Sequence, residues 1–149
     1  MHGFLYGYND QNNKYGIIRG RRIFCSNRNN KTGCGRTINI FKASIIKSFT
    51  YTSDTIWNFL NNIFKGLNIS KAFQILNINC SAGTPYRLLA RFKLNQSEIR
   101  NKLIMLTKPP DNPSYNNPVM QTIEHLKITF YNANCPIASF QYVTQTSIF

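Results

Sequence analysis

The sequence predicts an α+β fold, mainly α, with a small N-terminal β-hairpin followed by a helix-turn-helix-like helical domain. Three observations lead there. Strand-forming Ile17, Ile18, Ile23, Phe24, Ile38, Ile40 and Phe41 flank a loop of Ser, Asn, Lys and Gly, the pattern of two strands joined by a turn. Apolar residues then recur at helical spacing from Ile56 to Phe64, and again between Ala72 and Leu106. A chain of 149 residues can bury one sizeable core, so one compact domain with an appended module is expected. The predicted parts are a hairpin module over 1–47, a helical domain over 48–107, a Pro/Asn-rich linker over 108–118, and a C-terminal helix with an extended tail over 119–149.

At the N-terminus, Phe4, Tyr6 and Tyr8 alternate as a short strand would before an Asn-rich turn. The stretch that follows carries Lys14, Arg19, Arg21, Arg22, Arg28, Lys31, Arg36, Lys42 and Lys47 with no acidic residue among them. Within it, Cys25 and Cys34 stand at the two edges of the predicted turn. Such a pair is half of a zinc ribbon, in which thiolates hold a metal that replaces a core too small to fold unaided. The alternative is two reduced thiols packed beside a turn. His2 is the other soft ligand nearby, although its terminal position suits a frayed end.

Ser53 or Asp54 is positioned to cap a first helix whose apolar face is Ile56, Phe59, Leu60, Ile63 and Phe64, and Gly66 ends it. Trp57 lies one position round from that stripe, in the core or at its rim. Ser70 then caps a short helix, a tight turn of Asn79, Cys80, Ser81, Ala82 and Gly83 follows, and Thr84 and Pro85 open a third helix in N-cap and first-turn positions. A short helix, a Gly-containing turn and a longer basic helix make the outline of a helix-turn-helix. In that outline Tyr86, Arg87, Arg91 and Lys93 face outward, while Leu88, Leu89 and Phe92 turn inward. A plain alternative is a basic amphipathic helix whose arginines solvate a surface. A further helix starts near Asn95, and Pro109, Pro110, Pro113 and Pro118 mark the linker. Beyond it, Met120, Ile123 and Leu126 suggest a last helix, and Phe140, Tyr142 and Thr144 alternate as a strand, or lie extended over the core.

Charge narrows the partner. Eighteen Lys and Arg against five Asp and Glu give a formal charge of +13, a surplus most often neutralised by nucleic acid phosphate, with an anionic membrane or an acidic protein behind it. No apolar window reaches bilayer length and no targeting signal is visible, so a soluble intracellular protein with reduced cysteines and no membrane partner is expected. Asp10, Asp54, Glu98, Asp111 and Glu124 are scattered, with no pairing motif to converge on divalent metal. His125 reads as an ordinary, partly exposed residue, and Cys80 and Cys135 as small core residues. The chain is therefore expected not to be an enzyme.

The run RGRRIFCSNRNNKTGCGRTINIFKASII, followed by a three-helix pattern, resembles the N-terminal zinc-binding and helix-turn-helix regions of bacterial insertion-sequence transposases and transposon-associated proteins. Cys34-Gly35-Arg36-Thr37 matches the end of that pattern, and Cys25 the cysteine before it across a longer loop. The first Cys-x-x-Cys has no counterpart, as in a chain whose start lies inside the module, which leaves the zinc ligand set at Cys25 and Cys34. The resemblance implies DNA binding linked to a transposable element, in the bacterial cytoplasm at the nucleoid, without the acidic domain that cuts and joins DNA. Arg19, Arg21, Arg22, Arg28, Lys31 and Arg36 would then grip duplex phosphates, and Arg87 and Arg91, beside Tyr86 and Lys93, would approach base edges. Two alternatives stay open: an interaction protein or decayed fragment whose basic face meets an acidic partner, and RNA binding in which Tyr6, Tyr8, Tyr15 and Phe24 stack on unpaired nucleotides.

Overall fold

The computed structural model describes residues 3–8, 16–30, 32–47, 49–111 and 113–149. Three strands, β1 (Gly3–Gly7), β2 (Ile17–Phe24) and β3 (Thr37–Phe41), precede six helices: α1 (Ser53–Phe64), α2 (Ile69–Gln74), α3 (Thr84–Leu94), α4 (Gln96–Leu106), α5 (Pro118–Thr129) and α6 (Pro136–Thr144). The fold is α+β and mainly α, as expected. The predicted hairpin is the β2–β3 pair, and β1 adds to it as a third antiparallel strand in the order β1-β2-β3. The β1–β2 register shifts between Leu5 and Tyr6, a bulge beside Arg19.

One core, built around α1, organises the helices. Ile56, Phe59 and Leu60 of α1 pack with Phe73, Leu88, Phe92, Ile99, Leu103, Ile123, Leu126, Ile137, Phe140 and Ile148. Burying each of these large side chains stabilises the fold by roughly 1.5–3 kcal/mol. The sheet supplies no member of this cluster, which begins at Ile46. Among the described residues, those of the three strands thus stand outside this core.

The helix boundaries follow from capping chemistry. Thr52 caps α1, its side chain accepting from the Thr55 N–H; Ser53, predicted for that task, is buried and donates to the Ala43 carbonyl at 3.0 Å. At the other end Gly66 has φ +91°, its N–H reaches the Ile63 carbonyl, and the Leu67 N–H reaches the Asn62 carbonyl, a Schellman stop that only a residue tolerant of left-handed backbone permits. Asn68, not Ser70, caps α2 by accepting from the Lys71 N–H at 2.8 Å. Gly83 occupies the N-cap of α3 and Thr84 is its first residue. For α1 and α2 the residue that caps lies within two positions of the predicted one.

Two larger corrections concern the C-terminal third. The predicted strand through Phe140, Tyr142 and Thr144 is helix α6: Cys135 accepts from the Ala138 N–H at its N-cap, Pro136 sets the first turn, and the inward set Ile137, Phe140, Gln141 has helical spacing. The proline-rich segment does not divide the chain into domains, because α5 and α6 share the core with α1. Its Tyr115 lies edge-on to Phe64 with centroids 4.9 Å apart, and its hydroxyl donates to the Phe64 carbonyl. Cys135 is buried as expected, but Cys80 is exposed in the approach to α3. No helix among the described residues is long and apolar enough to cross a membrane.

His125 also departs from expectation: it is buried, with Nε2 2.9 Å from the Thr107 carbonyl, so this nitrogen carries the proton and donates. Burial pushes its pKa below the usual histidine value; the Thr107 carbonyl pulls the other way, and Arg100 adds to the lowering. The folded protein resists a proton that the unfolded chain takes up near pH 6.5, so stability is full above that pH and falls as pH drops from about 6.5 toward the lowered folded value. Melting temperature should decline as pH falls below about 6.5, a loss that begins above the range where most carboxylates titrate. In His125→Gln, which keeps a donor for Thr107, thermal melts across that window should lose the slope.

Candidate nucleic-acid interface

Antiparallel pairing places directly opposite residues on one side of a sheet. Phe4 stands opposite Arg21, and Arg21 opposite Ile40, while Ile23 stands opposite Ile38. One side therefore carries Phe4, Arg21, Ile38 and Ile40, and nothing among the described residues covers it: Phe4 is 48% exposed and both isoleucines 52%. The Arg21 guanidinium lies 5.3 Å from the centre of the Phe4 ring, a cation–π contact that holds it flat along the sheet. Tyr6, 65% exposed, meets Phe4 edge-on at 6.3 Å. Arg22 belongs to the opposite side, where its Nε donates to Asn39 Oδ1 at 3.4 Å.

The predicted phosphate-gripping residues divide. Arg21, Arg22, Arg28 and Arg36 are exposed, and none has a carboxylate within ion-pair distance among the described residues, where Lys108–Asp111 is such a pair. Lys31 lies outside the described residues, as do Lys14, Tyr15, His2 and Asp10. Arg19 is corrected: it is 8% exposed, and its guanidinium donates to the carbonyls of Tyr8, Ile46 and Phe49. Its donors are spent on backbone, so it clasps the sheet to the start of the helical core and is not available to phosphate. Gly7 makes this possible, since a Cβ there would collide with Arg19 Cδ.

Cys25 and Cys34 face each other at the neck of the β2–β3 connection. The Cys25 N–H donates to the Arg36 carbonyl, the Gly35 N–H to the Cys25 carbonyl, and the Cys34 N–H to Cys25 Sγ at 3.3 Å. Backbone hydrogen bonding at Arg36 and the Cys25 thiol hold the Cys34 thiol below its ordinary pKa, whereas burial pushes Cys135 up to about 11. Iodoacetamide at pH 8 should therefore alkylate Cys34 more than about tenfold faster than Cys135, as peptide mapping of a time course would show. A structural zinc site takes four ligands. No group of three or more His, Cys, Asp or Glu comes together among the described residues, where Cys25 and Cys34 would supply two of the four ligands.

On α3, Leu88, Leu89 and Phe92 are buried as expected, and Tyr86, Arg87, Arg91 and Lys93 are exposed. Arg87 Nη2 donates to Ser81 Oγ at 3.0 Å, folding the guanidinium back over the first turn. Arg91, one turn on, lies 4.7 Å from the centre of the Phe49 ring. The connection from α2 to α3, residues 75–83, is nine residues long, against the three or four of a tight helix-turn-helix. What α3 offers is thus an exposed basic face, with Tyr86 and Arg87 open and Pro85 buried in its leading turn, rather than the compact motif.

Several participants gave little sign in the sequence. Lys42, Lys47, Ile40, Tyr142 and Thr146 line a groove of about 550 Å³ between β3 and the end of α6. Asp54, Glu98, Asp111 and Glu124 remain on separate elements, Asp111 paired with Lys108 and Glu124 accepting from Ser114. Comparison with known protein families, with curated proteins and with solved structures finds no match to this chain.

Proposed function

We propose that this chain binds DNA without acting on it chemically, gripping phosphates with the sheet module and presenting the basic face of α3 to a duplex. One observation carries the reading: among the described residues, Arg21, Arg22, Arg28 and Arg36 stand exposed and without carboxylate partners on a module that adds nothing to the core. Clustered guanidinium groups of one sign repel one another, and polyphosphate is the partner that supplies the missing charge. Tyr86, Arg87, Arg91 and Lys93 would add contacts along the groove. The scattered carboxylates support a binding role rather than catalysis. The Cys34-Gly35-Arg36-Thr37 run is what links the reading to mobile-element proteins, with zinc at Cys25 and Cys34 as the associated proposal.

A mobility-shift titration with duplex DNA and with heparin separates DNA recognition from general polyanion binding. Duplex should be preferred, and Arg87→Ala with Arg91→Ala should weaken duplex binding by about tenfold or more while leaving heparin nearly unchanged. Equal affinity for both ligands, unaffected by the double substitution, would leave an acidic protein partner as the better reading.

A further inference from the structure

We infer that the exposed sheet face and the groove beside it form a platform for unpaired DNA, an inference that rests on the DNA-binding reading above. Alternating aromatics on strands ordinarily roof a hydrophobic core. Here Phe4, Tyr6 and Tyr8 belong to no core cluster, and Tyr6 and Tyr8 are more than half exposed. Arg21 sits between Phe4 and Ile40 on that face, so the surface alternates ring, guanidinium and aliphatic side chain. At Ile40 it meets the groove lined by Lys42, Lys47 and Tyr142, whose ring is 71% exposed.

This combination selects its ligand. Bases within a duplex are stacked on their neighbours and offer no π-face, whereas an unpaired base offers one to any ring beside it. The backbone of the same strand needs cations at intervals along its path, and Arg21, Lys42 and Lys47 supply them with no acidic residue between positions 14 and 47. A lipid surface or a second copy of this +13 chain would bury the rings equally well, but a second copy would bring like charges together. A duplex thus uses the arginines of this module together with the α3 face, whereas the exposed rings serve an unpaired strand alone.

The test is fluorescence anisotropy of the full chain with a labelled oligothymidylate, an oligouridylate and a mixed-sequence duplex, at one salt concentration. Tyr6→Ala with Tyr142→Ala should weaken oligothymidylate binding by about 30-fold or more, at least about fivefold for each of the two stacking rings removed, and leave the duplex unchanged. Tyr6→Phe with Tyr142→Phe should restore it, because both rings return without their hydroxyls. The inference is overturned if the alanine pair weakens duplex and oligothymidylate equally or neither, or if oligouridylate binds tenfold more tightly than oligothymidylate. It is also overturned if sedimentation shows a wild-type dimer that the alanine pair abolishes. In each of those cases duplex binding by wild type keeps the DNA-binding reading standing; if no oligonucleotide binds, that reading falls as well.

Discussion

Replacing Arg19 by Met releases the sheet from the helical core while leaving the core folded. The guanidinium donates to three carbonyls, those of Tyr8, Ile46 and Phe49, and methionine keeps the aliphatic length while removing every donor. Hydrogen bonds from charged groups contribute about 1.5–3 kcal/mol each, and an orphaned buried acceptor costs about 1–3 kcal/mol. Because two of the three acceptors are partly solvated and water replaces some of the loss, the expected cost is about 3 kcal/mol. No apolar burial makes up for it, since the cluster that holds α1 to α6 together begins at Ile46 and includes no sheet residue. Ser53 and Gln141, which bind the Ala43 carbonyl, secure the connecting segment rather than the strands. Native-state hydrogen exchange of Arg19→Met should show β2 and β3 amides losing protection while α1, α5 and α6 keep theirs. Uniform loss across the chain would mean that sheet and helices fold as one cooperative unit.

The helices were legible because their apolar residues keep a helical period across whole turns: Ile56, Phe59, Leu60 and Ile63 are all buried, as their spacing requires. Caps were harder to place. Thr52 beside Ser53, and Asn68 near Ser70, are chemically equivalent acceptors, and tertiary demand chose between them when Ser53 was drawn to Ala43. The alternation of Phe140, Tyr142 and Thr144 suggested a strand, yet Ile137 and Gln141 also face the core, and Pro136 starts a helix as readily as it ends a strand. Pro109, Pro110 and Pro113 break the helices, but they carry no information about whether the next helix returns to the same core.

At the site, the exposed arginines and the outward face of α3 could be read directly from charge and spacing. Arg19 could not, because nothing in a run of three arginines separates the one that turns inward; only the bulge opposite Leu5 and Tyr6, with Gly7 beneath it, marks the place. Aromatics that alternate on strands ordinarily cover a core, and among the described residues these strands have none to cover. The groove is invisible in sequence for another reason: Gln141 and Ala43, which close its floor, are 98 residues apart.

The largest effect expected of this protein is the salt dependence of its affinity for DNA. Each phosphate neutralised by an arginine or lysine releases condensed counterions, so affinity falls as a power of salt concentration with an exponent near −0.9 per contact. If Arg21, Arg22, Arg28, Arg36, Arg91 and Lys93 each meet a phosphate, duplex affinity should drop roughly 10³-fold between 50 and 200 mM salt. Substituting Arg21, Arg22 and Arg28 by Gln touches no core residue and should lower the log–log slope by about 2.7. The slope for duplex DNA, measured for wild type and for this triple variant, is the most direct test of the cationic sheet as the binding surface. A steep wild-type slope made shallower by three substitutions is the predicted result; a flat wild-type slope, or a steep one the variant leaves unchanged, would contradict it.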